Sequence, residues 1–170
     1  MASLFKNTPA NLAKLSGAGK LVLLEPVAEK RVLGYKLGAD LCIDPINEDV
    51  ETVLAEKGVG RISTVIECAG LPSTMKQAIS LAGKKSTVML FGLTKPNDEI
   101  PVKPFEIFKK EVVIKASFIN PYTQRRAVLI DSGKIDVSSM VYKKISLDEL
   151  SAALMDGSLR SKGKLIVVNE

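Results

Sequence analysis

The sequence contains no histidine, no tryptophan and only two cysteines, Cys42 and Cys68. Without histidine, these 170 residues lack the side chain that most often serves as general base in enzymes. The cysteines are far apart, so there is no C-x-x-C zinc motif. Each lies in an apolar run, which favours a buried free thiol over a disulfide. We therefore expect no zinc site and no histidine-based catalysis within this chain.

Long apolar segments are also absent, because no run approaches the roughly 20 residues that span a bilayer. The first six residues lack the apolar core of a secretory signal. We therefore expect a cytoplasmic protein without membrane contact. Basic residues number 24 against 19 acidic ones, but they are scattered and have no aromatic residues between them. We predict no nucleic-acid binding, which needs a basic stripe with stacking groups.

Short apolar runs alternate with segments of helical periodicity along most of the chain. The predicted strands are residues 20–25, 41–43, 63–68, 86–91 and 111–118. The predicted helices are residues 10–16, 27–37, 49–57, 73–81 and 124–131, with Ser73 as one helix cap. Several strands are apolar throughout, as in a parallel sheet covered on both faces. The pattern predicts a doubly wound, Rossmann-like α/β fold.

In such folds, ligands bind at the carboxyl ends of the strands. The predicted strands end at Glu25, at Cys68-Ala69-Gly70, at Phe91-Gly92-Leu93 and at Ser117-Phe118. Gly70 and Gly92 would let a flat ligand approach the backbone. Alternatively, each glycine merely permits a tight turn.

Glu25 is the most informative of these residues. An acid at the end of the second strand of a dinucleotide fold binds the adenosine ribose hydroxyls and repels a 2′-phosphate, which favours NAD over NADP. The alternative is a solvated acid that happens to precede Pro26. A glycine-rich phosphate loop should begin about 20 residues before such an acid. Residues 1–6 contain no glycine, so we expect the first strand and this loop to be lacking.

Two consequences are expected if the first strand and the glycine-rich loop are lacking. Binding of NAD should be weak or lost, at least ~10-fold weaker than in an intact domain. The first strand is central in the strand order 3-2-1-4-5-6, so its neighbours would face a gap. Residues 165–168 are the favoured segment to fill the gap, and residues 3–5 are a shorter candidate. If neither does so, the sheet splits and oligomerisation must join its halves.

An ordered set of segments carries a family resemblance. They are residues 12–20, 23–31, 37–40, 43–45, 65–70, 90–92, 107–111 and 114–118, and include Leu23-Leu-Glu-Pro-Val-Ala-Glu-Lys-Arg31 and Val65-Ile-Glu-Cys-Ala-Gly70. Together they resemble the zinc-dependent medium-chain alcohol dehydrogenases, especially the polyol and threonine dehydrogenases. The resemblance covers residues 12–170. It implies that the zinc ligands and proton relay lie in a catalytic domain outside this chain.

The resemblance also implies where the cofactor binds. Lys30 would hold the ribose with Glu25, and adenine would lie near Cys68, Ala69 and Gly70. The nicotinamide carboxamide would contact the backbone at Phe91, Gly92 and Leu93 and at Ser117 and Phe118. Residues 1–145 would form the nucleotide-binding domain, and residues 146–170 a helix and strand that return to the catalytic domain. A segment near Ile100 and Val102 resembles a subunit-contact strand and implies a homo-oligomer.

Three functions remain open. The favoured one is the nucleotide-binding part of a zinc-type NAD-dependent alcohol or polyol dehydrogenase that is inactive alone. The second is half of a split dehydrogenase whose catalytic domain is a separate chain. The third is a non-catalytic nucleotide-binding or oligomerisation module. The alcohol substrate is not identified, because its contacts would lie outside these residues.

Overall fold

The structure, a computed structural model, describes residues 12–118, 123–135 and 137–169. Its strands are β1 (Val22–Leu24), β2 (Leu41–Ile43), β3 (Thr64–Glu67), β4 (Thr87–Leu90), β5 (Val113–Ala116), β6 (Val141–Ile145) and β7 (Lys164–Val167). Its helices are α1 (Ala28–Lys36), α2 (Val50–Glu56), α3 (Pro72–Leu81), α4 (Pro104–Lys110), α5 (Thr123–Asp131), α6 (Leu150–Met155) and α7 (Gly157–Lys162). Residues 12–15 are also helical, and Ser138–Met140 form a 3₁₀ turn.

The chain divides into two compact units. One comprises Met1–Cys42 and Tyr122–Glu170, and the other comprises Ile43–Pro121. The predicted domain boundary near residue 145 stays a prediction.

The described strands form three sheets, with orders β1-β2, β3-β4-β5 and β6-β7. β4 pairs in parallel with both β3 and β5, so Thr87 lies opposite Thr64 on one side and Val113 on the other. β6 and β7 are also parallel. The prediction of an α/β fold built on parallel strands is confirmed.

The C-terminal strand does not take the central position that was expected for it. β7 pairs with β6, with Ile145 opposite Val167, so the hypothesis that residues 165–168 supply a central strand is wrong. Only α6 and α7 separate these two strands along the chain, and strands so connected commonly lie side by side. Residues 3–5, the other candidate, lie outside the described residues.

Helix ends follow local sequence signals in most places. Asp49 caps α2 by accepting a hydrogen bond from the Thr52 amide at 2.8 Å. α1 gives way to Gly38, whose φ of 99° is easily reached only by glycine. Ser73 is not the cap of α3, because the helix already begins at Pro72. Proline suits that first position, since its fixed φ is helical and its missing N–H has no partner there anyway.

α3 packs against β3 and β4 in the second unit. Ala78, Ala82 and Val88 are buried together, with Val65 and Leu90 packed around them. By contrast, all four residues of β5 are exposed. Within the described ranges, this strand therefore lacks the helices on both faces that were expected for the parallel sheet. This packing against α3 fixes the positions of β3 and β4, and therefore those of the loops that follow their carboxyl ends.

Among the described residues, no helix is long and apolar enough to cross a membrane.

Candidate functional site

Glu25 directly follows β1, and its side chain is fully buried, with 0% of its surface exposed. Its Oε1 accepts a hydrogen bond from the Val27 amide at 3.0 Å. Its Oε2 is buried and has no hydrogen-bond partner among the residues that the structure describes. A buried acceptor left in this way costs about 1–3 kcal/mol. The alternative of a solvated acid is therefore wrong, and the site has an unused acceptor at the end of a strand.

The turn between β1 and α1 is held by Arg31. One guanidinium nitrogen, Nη1, donates to the carbonyl oxygens of Glu25 and Pro26, both at 2.8 Å. Lys30, the other predicted ribose ligand, lies in the first turn of α1 and is only 4% exposed. The structure thus places one predicted ribose-binding residue directly after β1 and the other at the start of the following helix, with both side chains buried.

A second buried carboxylate, Glu67, ends β3. Its Oε1 accepts hydrogen bonds from the Ala69 amide at 2.7 Å, the Gly70 amide at 3.0 Å and the Thr74 hydroxyl at 2.8 Å. Its Oε2 lies 3.2 Å from the Gly70 nitrogen. The main-chain carbonyl of Glu67 accepts from the amides of Phe91, at 2.8 Å, and Gly92, at 2.9 Å. One residue therefore bonds to both loops that follow β3 and β4.

Gly70 and Gly92 explain how closely those loops approach. A Cβ at Gly92 would overlap the Gly70 nitrogen and lie 2.6 Å from Oε2 of Glu67. A Cβ at Gly70, whose φ is +70°, would overlap the carbonyl of Leu93. Close packing between the backbones of the two loops thus requires glycine at both positions. At Gly70 the positive φ of the turn is a further reason. The structure brings the predicted residues after β3 and those after β4 together.

The predicted residues after β5 lie beside the same edge. The Ser117 amide donates to the carbonyl of Leu90 at 3.2 Å, which places it next to the end of β4. Phe118 and Leu93 are largely exposed, at 82% and 84%. The three parallel strands therefore end in a surface of backbone groups and exposed apolar side chains.

Sequence reasoning missed Glu67 and Thr74. The available signal was an acid at the end of an otherwise apolar run, the same signal that identified Glu25. It was overlooked because the groups that bond to Glu67 come from a loop whose course a sequence pattern does not reveal.

In the described part of the chain, no group of three or more histidine, cysteine, aspartate or glutamate side chains lies close enough together to hold a metal ion. Cys42 and Cys68 are not joined in a disulfide, and both are partly buried. Burial raises the pKa of the Cys42 thiol, while the nearby Arg31 charge and the Tyr35 hydroxyl act in the opposite direction.

Parallel strands with a buried acid after β1 and apposed glycines after β3 and β4 define a Rossmann-type α/β architecture. The model of the family described as zinc-binding dehydrogenase matches residues 9–132, and the chain belongs to this family. The resemblance to zinc-type medium-chain dehydrogenases is thereby confirmed.

Similar curated proteins are longer than this chain. The chain is 30% identical over 116 residues to L-threonine 3-dehydrogenase from Caldanaerobacter subterraneus subsp. tengcongensis, which covers 68% of this chain and 32% of that protein. It is 29% identical over 150 residues to D-arabinitol dehydrogenase 1 from Uromyces fabae, covering 85% and 43% respectively. The chain thus spans less than half the length of these relatives.

Solved structures show the same arrangement. A zinc-binding dehydrogenase from Sinorhizobium meliloti 1021, bound to NADP, is 33% identical with a TM-score of 0.87, covering 96% of this chain and 49% of that one. An alcohol dehydrogenase from Escherichia coli CFT073, complexed with NADH, has a TM-score of 0.85 at 20% identity, again over 96% and 49%. At that identity, the second match shows the fold alone.

Proposed function

We propose that this chain is the nucleotide-binding part of a zinc-type, NAD-dependent alcohol or polyol dehydrogenase. The observation that carries the proposal is the buried Oε2 of Glu25, which lacks a hydrogen-bond partner in the described part of the chain. A ribose hydroxyl would supply the donor that this oxygen lacks. A 2′-phosphate would bring a second negative charge and no such donor, so the proposed cofactor is NAD.

Arg31 bears on this choice of cofactor. An arginine near this acid is the usual means of accommodating a 2′-phosphate. Here Nη1 of Arg31 donates to two backbone carbonyls, which ties the guanidinium to the turn before α1. The Sinorhizobium meliloti relative was solved with NADP, so the preference for NAD is the point that an experiment must decide.

Within the proposed enzyme, this chain binds and orients the cofactor, which accepts the hydride when bound. Glu25 and Lys30 would hold the adenosine ribose. The backbone of Gly70, Gly92 and Leu93 would support the remainder, since no side chain intervenes at the two glycines. Zinc ligands and a histidine proton relay would come from outside these 170 residues, which contain no histidine. We therefore propose that the chain alone, a cytoplasmic protein, does not oxidise alcohols.

The test is a titration of the purified chain with NADH and NADPH, followed by nicotinamide fluorescence. NADH should bind at least ~10-fold more tightly than NADPH. Glu25→Gln should remove most of that preference, because an amide neither repels phosphate nor accepts at both positions. Glu29→Gln, which neutralises an exposed acid in the first turn of α1, is the matched control and should leave the preference intact. Equal or tighter binding of NADPH by the native chain would refute the proposal.

The same titration tests the expected weakness of binding. We propose that the affinity for NADH falls at least ~10-fold below that of an intact relative. Low-micromolar binding by this chain would contradict that expectation while leaving its role in nucleotide binding in place.

Assembly is the second candidate function, and exposed apolar residues support it. Phe105 and Phe108 on α4 are 69% and 81% exposed, and they follow the segment near Ile100 and Val102. That segment forms no strand in the single described chain, so it would need a partner to become one. We propose a homo-oligomer, with a separate catalytic chain as the alternative. Sedimentation of the pure chain tests whether it forms a homo-oligomer. Adding a catalytic-domain polypeptide and measuring whether alcohol oxidation is restored tests for a separate catalytic chain.

A further inference from the structure

We infer that Glu67 is a positioning residue for the cofactor: its carboxylate fixes the two loops at the ends of β3 and β4 in the arrangement that receives the dinucleotide. This inference rests on the proposed function, but Glu67 is not one of the residues expected to touch the cofactor. Its role would be exerted through the backbone of neighbouring residues.

The first step is the hydrogen bonding of the side chain. Oε1 accepts from the Ala69 amide, the Gly70 amide and the Thr74 hydroxyl, at 2.7, 3.0 and 2.8 Å. The side chain is only 5% exposed. Hydrogen bonds to an ionised acceptor are about twice as strong as neutral ones. This acceptor therefore holds the start of the β3–α3 loop against the first turn of α3, where Thr74 lies.

The second step connects that loop to the one after β4. The Glu67 carbonyl accepts from the amides of Phe91 and Gly92, at 2.8 and 2.9 Å. A Cβ at Gly92 would lie 2.6 Å from Oε2 of the same residue. The carboxylate is therefore one wall of the space into which Gly92 fits. Movement of the Glu67 side chain would release the Gly70 amide, to which no other described side chain bonds, and would remove the wall beside Gly92.

The third step is the chemistry of substitution. In Glu67→Gln, an NH₂ group replaces one oxygen. If it replaces Oε1, it faces the amide donors of Ala69 and Gly70; if it replaces Oε2, it faces the Gly70 amide, whose nitrogen lies 3.2 Å away. Either orientation brings donors together, which is unfavourable in a buried site. Thr74→Val removes only one donor, so it is a milder change that keeps the carboxylate.

The first experiment needs no cofactor. Amide hydrogen exchange should be measured by NMR for the native chain, Glu67→Gln and Thr74→Val. We expect exchange at Ala69, Gly70 and Gly92 to accelerate at least ~10-fold in Glu67→Gln, and less in Thr74→Val. Amides in β7 should be unchanged. Glu149→Gln is the matched control, because Glu149 also accepts a backbone amide, that of Ser146 at 2.9 Å, but lies outside the site.

The second experiment measures NADH binding by the same four proteins. We expect Kd to rise about 10-fold for Glu67→Gln, which corresponds to 1.4 kcal/mol. The fluorescence maximum of bound NADH at saturation should move toward that of the free dinucleotide, because the nicotinamide is less well enclosed. A purely structural role for Glu67 would change the melting temperature but not this spectrum at saturation. Glu149→Gln should change neither quantity.

The outcomes distinguish a failure of the proposed function from a failure of the inference about Glu67. If the native chain binds no NADH even at millimolar concentration, the proposal that this chain by itself binds the cofactor is overturned, and the exchange data still decide whether Glu67 fixes the loops. If the native chain binds NADH and Glu67→Gln binds it with the same Kd and spectrum, the inference is wrong and the proposed function stands. If Glu67→Gln does not fold, Thr74→Val gives the answer, since unchanged exchange in that variant would overturn the inference.

Discussion

Gly92 and Gly70 pack backbone against backbone, and the space between them does not admit a single methyl group. A Cβ at Gly92 would overlap the Gly70 nitrogen and lie 2.6 Å from the Gly70 Cα. These two atoms of Gly70 belong to the main chain, so they cannot move aside as the end of a flexible side chain would.

We therefore expect Gly92→Ala to destabilise the chain by about 1–3 kcal/mol. The measurement is urea-induced unfolding. Gly60→Ala is the control, because nothing lies within 4 Å of a Cβ at Gly60 and its φ is not positive. The control should stay within about 0.5 kcal/mol of the native chain. Equal stabilities for the two variants would contradict the described packing.

A different close contact lies between α1 and β1. Alanine is ordinarily favoured over glycine inside a helix by about 1 kcal/mol. At Gly34, however, a Cβ would overlap Cδ2 of Leu23 and lie 3.2 Å from the Cys42 sulfur. We expect Gly34→Ala to destabilise by about 1–3 kcal/mol. In a Leu23→Ala background the same change should cost less, or stabilise, because its main obstacle is gone. A double-mutant cycle measures this, and additive effects would refute the explanation.

Stability should depend on pH through Asp40. The hydrogen bond from Lys14 and that from the Leu21 amide lower the pKa of Asp40 below its ordinary value of 3.8. A carboxyl group whose pKa is lower in the folded state stabilises the fold above its unfolded pKa, and this contribution is lost as pH falls through the folded pKa. Asp40→Asn should therefore be less stable than the native chain at neutral pH, and the difference should shrink below pH 3.8.

Urea unfolding over a series of pH values tests this expectation. The ion pair between Lys14 Nζ and Asp40 Oδ2 spans 2.6 Å. In a Lys14→Met background the effect of Asp40→Asn should be smaller, since the principal partner has been removed. A stability difference that does not change with pH would show that the charge of Asp40 makes no contribution.

The Cys42 thiol should react slowly. Burial raises its pKa, so less of the reactive thiolate is present than in a free cysteine. In a Cys68→Ser background, iodoacetamide should alkylate Cys42 more slowly than it alkylates free cysteine at the same mildly alkaline pH. Denaturing urea should abolish the difference. Equal rates in the folded protein would show that the thiol is not protected.

Much of the fold follows from patterns in the sequence. β2 occupies the predicted residues 41–43, because Asp44-Pro45 ends an apolar run with a turn signal. α4 was missed because it is only seven residues long, so Phe105 and Phe108 give a single helical repeat. β6 was missed because Tyr142, Lys143 and Lys144 interrupt its apolar residues, and all three are exposed.

The site was only partly predictable for a similar reason. Glu25 could be chosen from its place at the end of a strand, and its burial strengthens that choice. Glu67 occupies the same kind of position, yet its role depends on where Gly70 and Gly92 lie in space. Contacts between residues far apart in the chain leave no local pattern. The C-terminal strand was misassigned because an apolar run indicates a strand but not its partner.

The complete enclosure of Glu25 has a kinetic consequence. A ligand cannot hydrogen-bond to Oε2 until some neighbouring group has moved away from it, so association must include a rearrangement of the protein. In rapid-mixing experiments, the observed rate of NADH binding should then level off at high ligand concentration instead of rising in proportion. The plateau would report how often the carboxylate becomes accessible, a property of the protein that does not depend on the nucleotide.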